Sequence, residues 1–271
     1  MNSLQQKETE LLKCFVEICD QLNLTYFLVC GTALGAVKYN GFIPWDDDVD
    51  VALPRANYKI FCEKAQQLLP EGLFFQTYET DGKYPCIFGK IRDSRTTYIE
   101  KTCAKIPMNH GVYIDVFPLD GYPESPKAQK KLERKKLFYK LLISCVYESD
   151  CSFKVRLLRK LFRICGVHKR TDKVLARYER LISAYPTENS KLWCNHGNWQ
   201  GRREYAAREQ YGKGTMVSFE GIPVRVPEQY DAYLTQKYGD WRADLPAEEQ
   251  VGHHFYTVMD LEKPYTEYTV G

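Results

Sequence analysis

The sequence predicts an α/β (α+β) protein: a mixed sheet flanked by helices and carrying a basic helical insertion. Three observations lead there. Short apolar runs alternate with amphipathic stripes through residues 1–125, as strands alternating with helices do. After Pro126 the texture turns helical and basic. The chain has 271 residues, 44% hydrophobic and 27% charged, enough for one large domain or a core with an insertion. The expected division is a core over 1–125, a basic helical insertion over 126–190, and a segment over 191–271 that completes the core.

The elements follow in order. Leu4, Leu11, Leu12, Phe15, Ile18, Cys19 and Leu22 form one helical stripe over residues 3–22. Tyr26 to Cys30 is a short apolar run ending at Gly31, read as a buried strand. Thr32 is placed to cap a short helix through Lys38. Val49 to Leu53 alternates as a strand, and Pro54 opens a helix through Leu69 with Tyr58, Phe61, Ala65 and Leu68 inward. Residues 74–78, 87–92, 96–99 and 112–116 read as further strands. Residues 127–186 are helical, with Gly166 and His168 marking a break. Pro227 opens a last helix that ends near Gly239.

Charge is uneven. The net charge is +3, which does not suit a nucleic-acid binder, so none is expected as a partner. Residues 127–170 hold 14 Lys and Arg against Glu133, Glu148 and Asp150, a local balance of +11. That segment is either a solvated helical face or a surface for an anionic membrane. The polar start, Met1 to Glu8, has no apolar region of a secretion signal, and no run approaches the length of a membrane span. The 10 cysteines are never spaced C-x-x-C and sit in apolar stretches, as buried free thiols of a reducing cytosol do. A cytoplasmic protein is expected, with peripheral contact at the inner membrane face as the extension.

The chemistry concentrates in Trp45-Asp46-Asp47-Asp48-Val49-Asp50. On a strand, Asp46, Asp48 and Asp50 would face one side and Asp47 the other. Carboxylates on one face repel each other unless a cation neutralises them. Mg²⁺ suits such oxygens together with phosphate, and Mn²⁺ is the alternative. An isolated D-x-D is commonly a solvated turn. Here Phe42 to Trp45 and Val49, Val51 and Leu53 flank the acids, which favours a partly buried site. Gly31-Thr32 follows a strand and opens a helix, where backbone N–H groups can meet phosphate. That turn followed by D-x-D is the arrangement of nucleotidyltransferase folds. Asp115, alone in the apolar run 112–117, needs a partner if buried, and a metal held by Asp48 and Asp50 would serve. Lys90 and Arg92 alternate on one strand face, as phosphate ligands or as ordinary surface.

The text from Gly31 to Val37 and from Gly41 to Val51 resembles the LicD family, and more distantly fukutin and the fukutin-related proteins. Residues 90–97, 111–121, Tyr238-Gly239-Asp240-Trp241 and His253-His254 extend the similarity; 127–190 carries least of it. The resemblance implies a nucleotidyltransferase-like catalytic core. It also implies transfer of a phospho-alcohol from a CDP-activated donor to a hydroxyl of a cell-surface glycan, with teichoic-acid or lipopolysaccharide precursors as acceptors. Phosphocholine, and so CDP-choline, is favoured. On that basis Asp48, Asp50 and Asp115 are the catalytic acids and, with Asp46, the metal ligands. Gly31, Thr32, Lys38, Lys90 and Arg92 are expected at the donor. Trp45 is a candidate for an aromatic cage around choline, against an ordinary packing role. His253 and His254 are placed at donor or acceptor, against a structural role. No cysteine cluster matches the zinc site of fukutin-related proteins. Two other classes stay open: an enzyme adding a nucleotide to RNA or a small molecule, and a non-catalytic nucleotide-binding protein.

Overall fold

The computed structural model describes residues 1–147, 151–197, 204–252 and 255–268. Helix α1 (Ser3–Gln21) begins at a capping box, in which Asn2 Oδ1 accepts from the Gln5 N–H and Gln5 Oε1 accepts from the Asn2 N–H, each at 2.9 Å. Its apolar stripe buries Leu11, Leu12, Phe15 and Ile18. Strand β1 (Phe27–Leu28) is shorter than the predicted run, because Cys30 already takes φ +54 and starts α2 (Cys30–Tyr39). Strand β2 (Asp50–Pro54) leads into α3 (Arg55–Leu68), and β3 (Leu73–Gln76), β4 (Gly89–Asp93) and β5 (Thr97–Glu100) follow.

The long strand β6 (Val112–Tyr122) is the spine of a mixed seven-stranded sheet. It pairs in parallel with β2 and antiparallel with β4, which in turn holds β3; β1 pairs on the far side of β2. Past Leu119 the spine takes a new antiparallel neighbour, β7 (Leu192–Asn195), which carries β8 (Tyr205–Ala207). α1 and α3 cover one face, with Phe15, Phe61 and Phe75 in consecutive ring contact.

The basic stretch forms α4 (Pro126–Ile143), α5 (Phe153–Ile164) and α6 (Thr171–Ile182). Gly166, at φ +73, makes the predicted break between the last two. α4 and α6 pack together, with Ile143, Leu175, Tyr178 and Ile182 in a second apolar cluster beside Ile87. A short α7 (Arg208–Tyr211) precedes a hairpin not foreseen from the sequence, β9 (Thr215–Phe219) and β10 (Ile222–Val226). Its two-residue turn, Glu220-Gly221, has φ +48 and +82, the positive values that match the twist of a tight hairpin. α8 (Tyr230–Tyr238) ends at Gly239, at φ +74, and β11 (Tyr256–Asp260) pairs with β5.

Candidate active site

Three neighbouring strands bring three charged residues abreast. Asp50 on β2 is the register partner of Asp115 on β6, and Asp115 is the register partner of Lys90 on β4. The Lys90 ammonium lies 3.1 Å from Asp115 Oδ1 and 3.1 Å from the centre of the Tyr113 ring. All three charged residues are buried.

The other acids are presented by a loop and not by a strand, which corrects the alternation expected for them. β2 starts only at Asp50, and a turn at Pro44-Trp45 precedes it, closed by the Asp46 N–H donating to Ile43 O at 2.9 Å. Asp47 lies toward Gly252, where a Cβ would sit 2.8 Å from its Oδ2, yet keeps an oxygen near those of its neighbours. Carboxylate oxygens of Asp46, Asp47 and Asp48 all lie within 4.8 Å of one another. α2 shapes this loop. Thr32 does not cap the helix; its Oγ1 accepts from the Asp50 N–H at 2.8 Å and pins the start of β2. A Cβ on Gly31 would sit 2.9 Å from Asp46 Oδ2, and one on Gly35 would sit 2.5 Å from Gly41 O. The two glycines thus let the acidic loop lie against the start of the helix, where the dipole favours negative charge. From α1, Gln5 Nε2 donates to Asp46 O at 3.0 Å.

Burial first, then the charges of Asp48 and Asp115, push the Asp50 carboxyl well above the usual carboxylate range. Crowding of this kind favours a bound cation. The donors are carboxylate oxygens, a hard set that fits Mg²⁺ or Mn²⁺. Asp46, Asp47 and Asp48 would hold the ion from the loop, with Asp50 and Asp115 available from the sheet.

Two cavities meet at these acids. One, about 420 Å³, is lined by Lys90, Glu100, Asp115, Tyr84, Tyr147 and Arg159. The other, about 440 Å³, is lined by Gly31, Lys38, Tyr39, Trp45, Asp46, Tyr238 and Trp241. Asp48 and Asp50 line both. Trp45 is partly exposed in the aromatic cavity and is not a core residue. Lys38 is there too, paired with Asp244 at 2.8 Å.

Arg92 is placed differently from the phosphate-binding expectation. It is fully buried, donating to Gln76 Oε1 at 2.5 Å and to Gly111 O at 2.7 Å, and it supports the site from beneath. Its alternation with Lys90 was legible; its depth was not, because β3 and β6 enclose it from both sides. His253 and His254 lie outside the described residues. Sequence reasoning gave no role to Glu100, which lies 3.5 Å from both Lys90 and Arg92, nor to Arg159 of α5. Glu100 falls just past the predicted strand 96–99, and Arg159 was one cation among many. Tyr238 and Trp241 stood in quoted motif text without a task.

Comparison with known proteins bears on the same residues. Residues 23–135, spanning β1 to β6 with the acidic loop and the first part of α4, match a family model described as LicD/FKTN/FKRP, nucleotidyltransferase domain. The lipopolysaccharide cholinephosphotransferase LicD of Haemophilus influenzae is 30% identical over 264 residues, covering 94% of this chain and 97% of its own length. An uncharacterized protein of Rickettsia prowazekii is 28% identical over 120 residues, covering 42% of this chain and 40% of its own length.

Proposed function

The chain belongs to the LicD family of transferases, and from that premise we propose that it moves phosphocholine from CDP-choline to a hydroxyl of a cell-surface glycan, in a reaction that depends on Mg²⁺. A lipopolysaccharide precursor is the favoured acceptor, because the Haemophilus relative is a lipopolysaccharide cholinephosphotransferase. The observation that carries this reading is the placement of Asp48 and Asp50 at the seam of two cavities of different chemistry.

The aromatic cavity suits the donor. The start of α2 at Gly31 is placed for phosphate, and Trp45 and Tyr238 are the lining aromatics for a quaternary ammonium, since Lys38 already lies over the Tyr39 ring and Arg242 over the Trp241 ring. The second cavity suits the acceptor, with Asp115 on its wall. Mg²⁺, when bound by the acidic loop, supplies charge neutralisation at the pyrophosphate. The acceptor hydroxyl attacks the phosphorus that carries choline. The bond from that phosphorus to the bridging oxygen breaks, and CMP leaves with the oxygen. Asp115, oriented by Lys90, takes the hydroxyl proton. Two half-sites that share only the acids hold the reacting groups in line, which is how positioning lowers the barrier.

The test is incubation with CDP-choline, CDP-ethanolamine, CDP-glycerol and CDP-ribitol, with and without Mg²⁺. CMP release that requires both Mg²⁺ and the choline donor is expected. Release with another CDP-alcohol alone would reassign the head group.

A further inference from the structure

Helix α5 is docked the wrong way round for a soluble protein. Its sequence is strongly amphipathic, yet none of its residues is buried. Phe153, Leu157, Leu161 and Ile164 fall within one narrow stripe at helical spacing. They are exposed at 69%, 59%, 50% and 75%. The helix rests instead on its opposite side, where Val155, Arg159 and Phe162 are partly covered, and two arginines tie it down: Arg163 Nε donates to Cys145 O at 2.6 Å, and Arg159 Nε donates to Ser144 Oγ at 3.3 Å. The apolar stripe is thereby turned outward and bordered by Lys154 and Lys160, both exposed. A broad basic hollow lies alongside, lined by Lys101, Lys105, Arg156 and Lys160.

We infer that α5 is an interfacial helix: its Phe153–Ile164 stripe enters the acyl boundary of an anionic lipid surface while its flanking lysines and arginines bind the headgroups. The combination of an apolar stripe with a cationic border is what such a surface recognises. A second copy of the chain is disfavoured as occupant, since it would set two strongly cationic segments against each other. The position also has a use. Arg159 lines both the basic hollow and the cavity containing Asp115, so a lipid-borne substrate held at this surface is delivered beside the acids. No helix among the described residues is long and apolar enough to cross a membrane.

The experiment is co-sedimentation of the full chain with vesicles containing phosphatidylglycerol or made of phosphatidylcholine alone. Binding to the anionic vesicles is expected, falling as salt rises. The double variant Leu157→Asp with Leu161→Asp is expected to lower vesicle affinity about ten-fold or more. Both sites are exposed, so its melting temperature and its CMP release with a soluble acceptor are expected to match the parent. Separately, Phe153→Trp is expected to shift its emission to the blue on adding anionic vesicles. Three results would overturn the inference: no binding by the parent, unchanged binding by the double variant, or a parent dimer that the double variant dissolves. Because vesicle binding is read without turnover, failure here and failure of the proposed reaction are told apart.

Discussion

Asp50 and Asp115 stand side by side in parallel strands, register partners with no residue between them. With Asp48 beside Asp50, the fold gathers negative charge that, after burial, pushes the Asp50 carboxyl well above the usual carboxylate range. Removing one charge is therefore expected to relieve repulsion and to remove function together. Asp48→Asn is expected to melt at or slightly above the parent temperature in EDTA and to lose roughly 10³-fold in transfer rate. Mg²⁺ at a hundred times its Kd is expected to stabilise the parent by about 2.7 kcal/mol, and the variant by much less. Melting curves with and without Mg²⁺, alongside CMP release, check both statements. A near-parental rate would sink the acid assignment.

Trp45 lines the aromatic cavity and touches neither strand register nor core. Trp45→Ala is expected to raise KM for CDP-choline roughly 2- to 30-fold, the range of a cation–π contact, with a smaller change in kcat. Trp45→Phe is expected to recover part of the loss. Equal effects on CDP-glycerol, which has no quaternary ammonium, would remove Trp45 from head-group recognition.

Arg55 ties three elements together. Its guanidinium forks onto Asp120 of β6 at 2.6 and 2.7 Å and reaches Glu179 of α6 at 2.6 Å. Asp120 is fully buried, so an Arg55→Ala change strands its charge. A loss of about 3–5 kcal/mol is expected in urea unfolding. Restoring only neutrality, with Asp120→Asn in the same chain, is expected to recover part of it. A loss under 1 kcal/mol for Arg55→Ala would show that the fork is solvated.

These cases show what the sequence carries and what it does not. The class of fold was legible because α1, α3 and the β strands obey simple periods. The convergence of Asp46, Asp48, Asp50 and Asp115 was legible as a demand for charge compensation. The loop form of residues 46–49 was not, since strand pairing depends on the partner β1, which ends at Leu28. The length of β6 was hidden by Pro118, which reads as a strand stop. It is tolerated because β4 ends opposite Val116 and β7 begins opposite Leu119, so the missing N–H falls in the gap. The depth of Arg92 and the outward face of α5 are tertiary facts that no local pattern contains.

Stability should fall with acid for a traceable reason. Burial first, then the positive charges of Lys136, Arg55 and Lys140, holds the His196 imidazole well below its ordinary pKa. His110 is lowered as well, chiefly by burial. Both take up protons less readily in the fold, so the unfolded chain is protonated first as pH drops through about 6.5. The contribution of these histidines is full above that value and is lost below it, by up to about 1.4 kcal/mol per pH unit for each. In His196→Gln the slope of unfolding free energy from roughly pH 7 to 5 is expected to be shallower. An unchanged slope would assign the acid sensitivity to other groups.

In the proposed reaction the group transferred is phosphocholine and not the nucleotide. Mass spectrometry of the acceptor after reaction with CDP-choline and Mg²⁺ tests it most directly. An acceptor heavier by one phosphocholine is expected, with CMP released in equal amount. An acceptor that has gained CMP, with phosphocholine released instead, would contradict it.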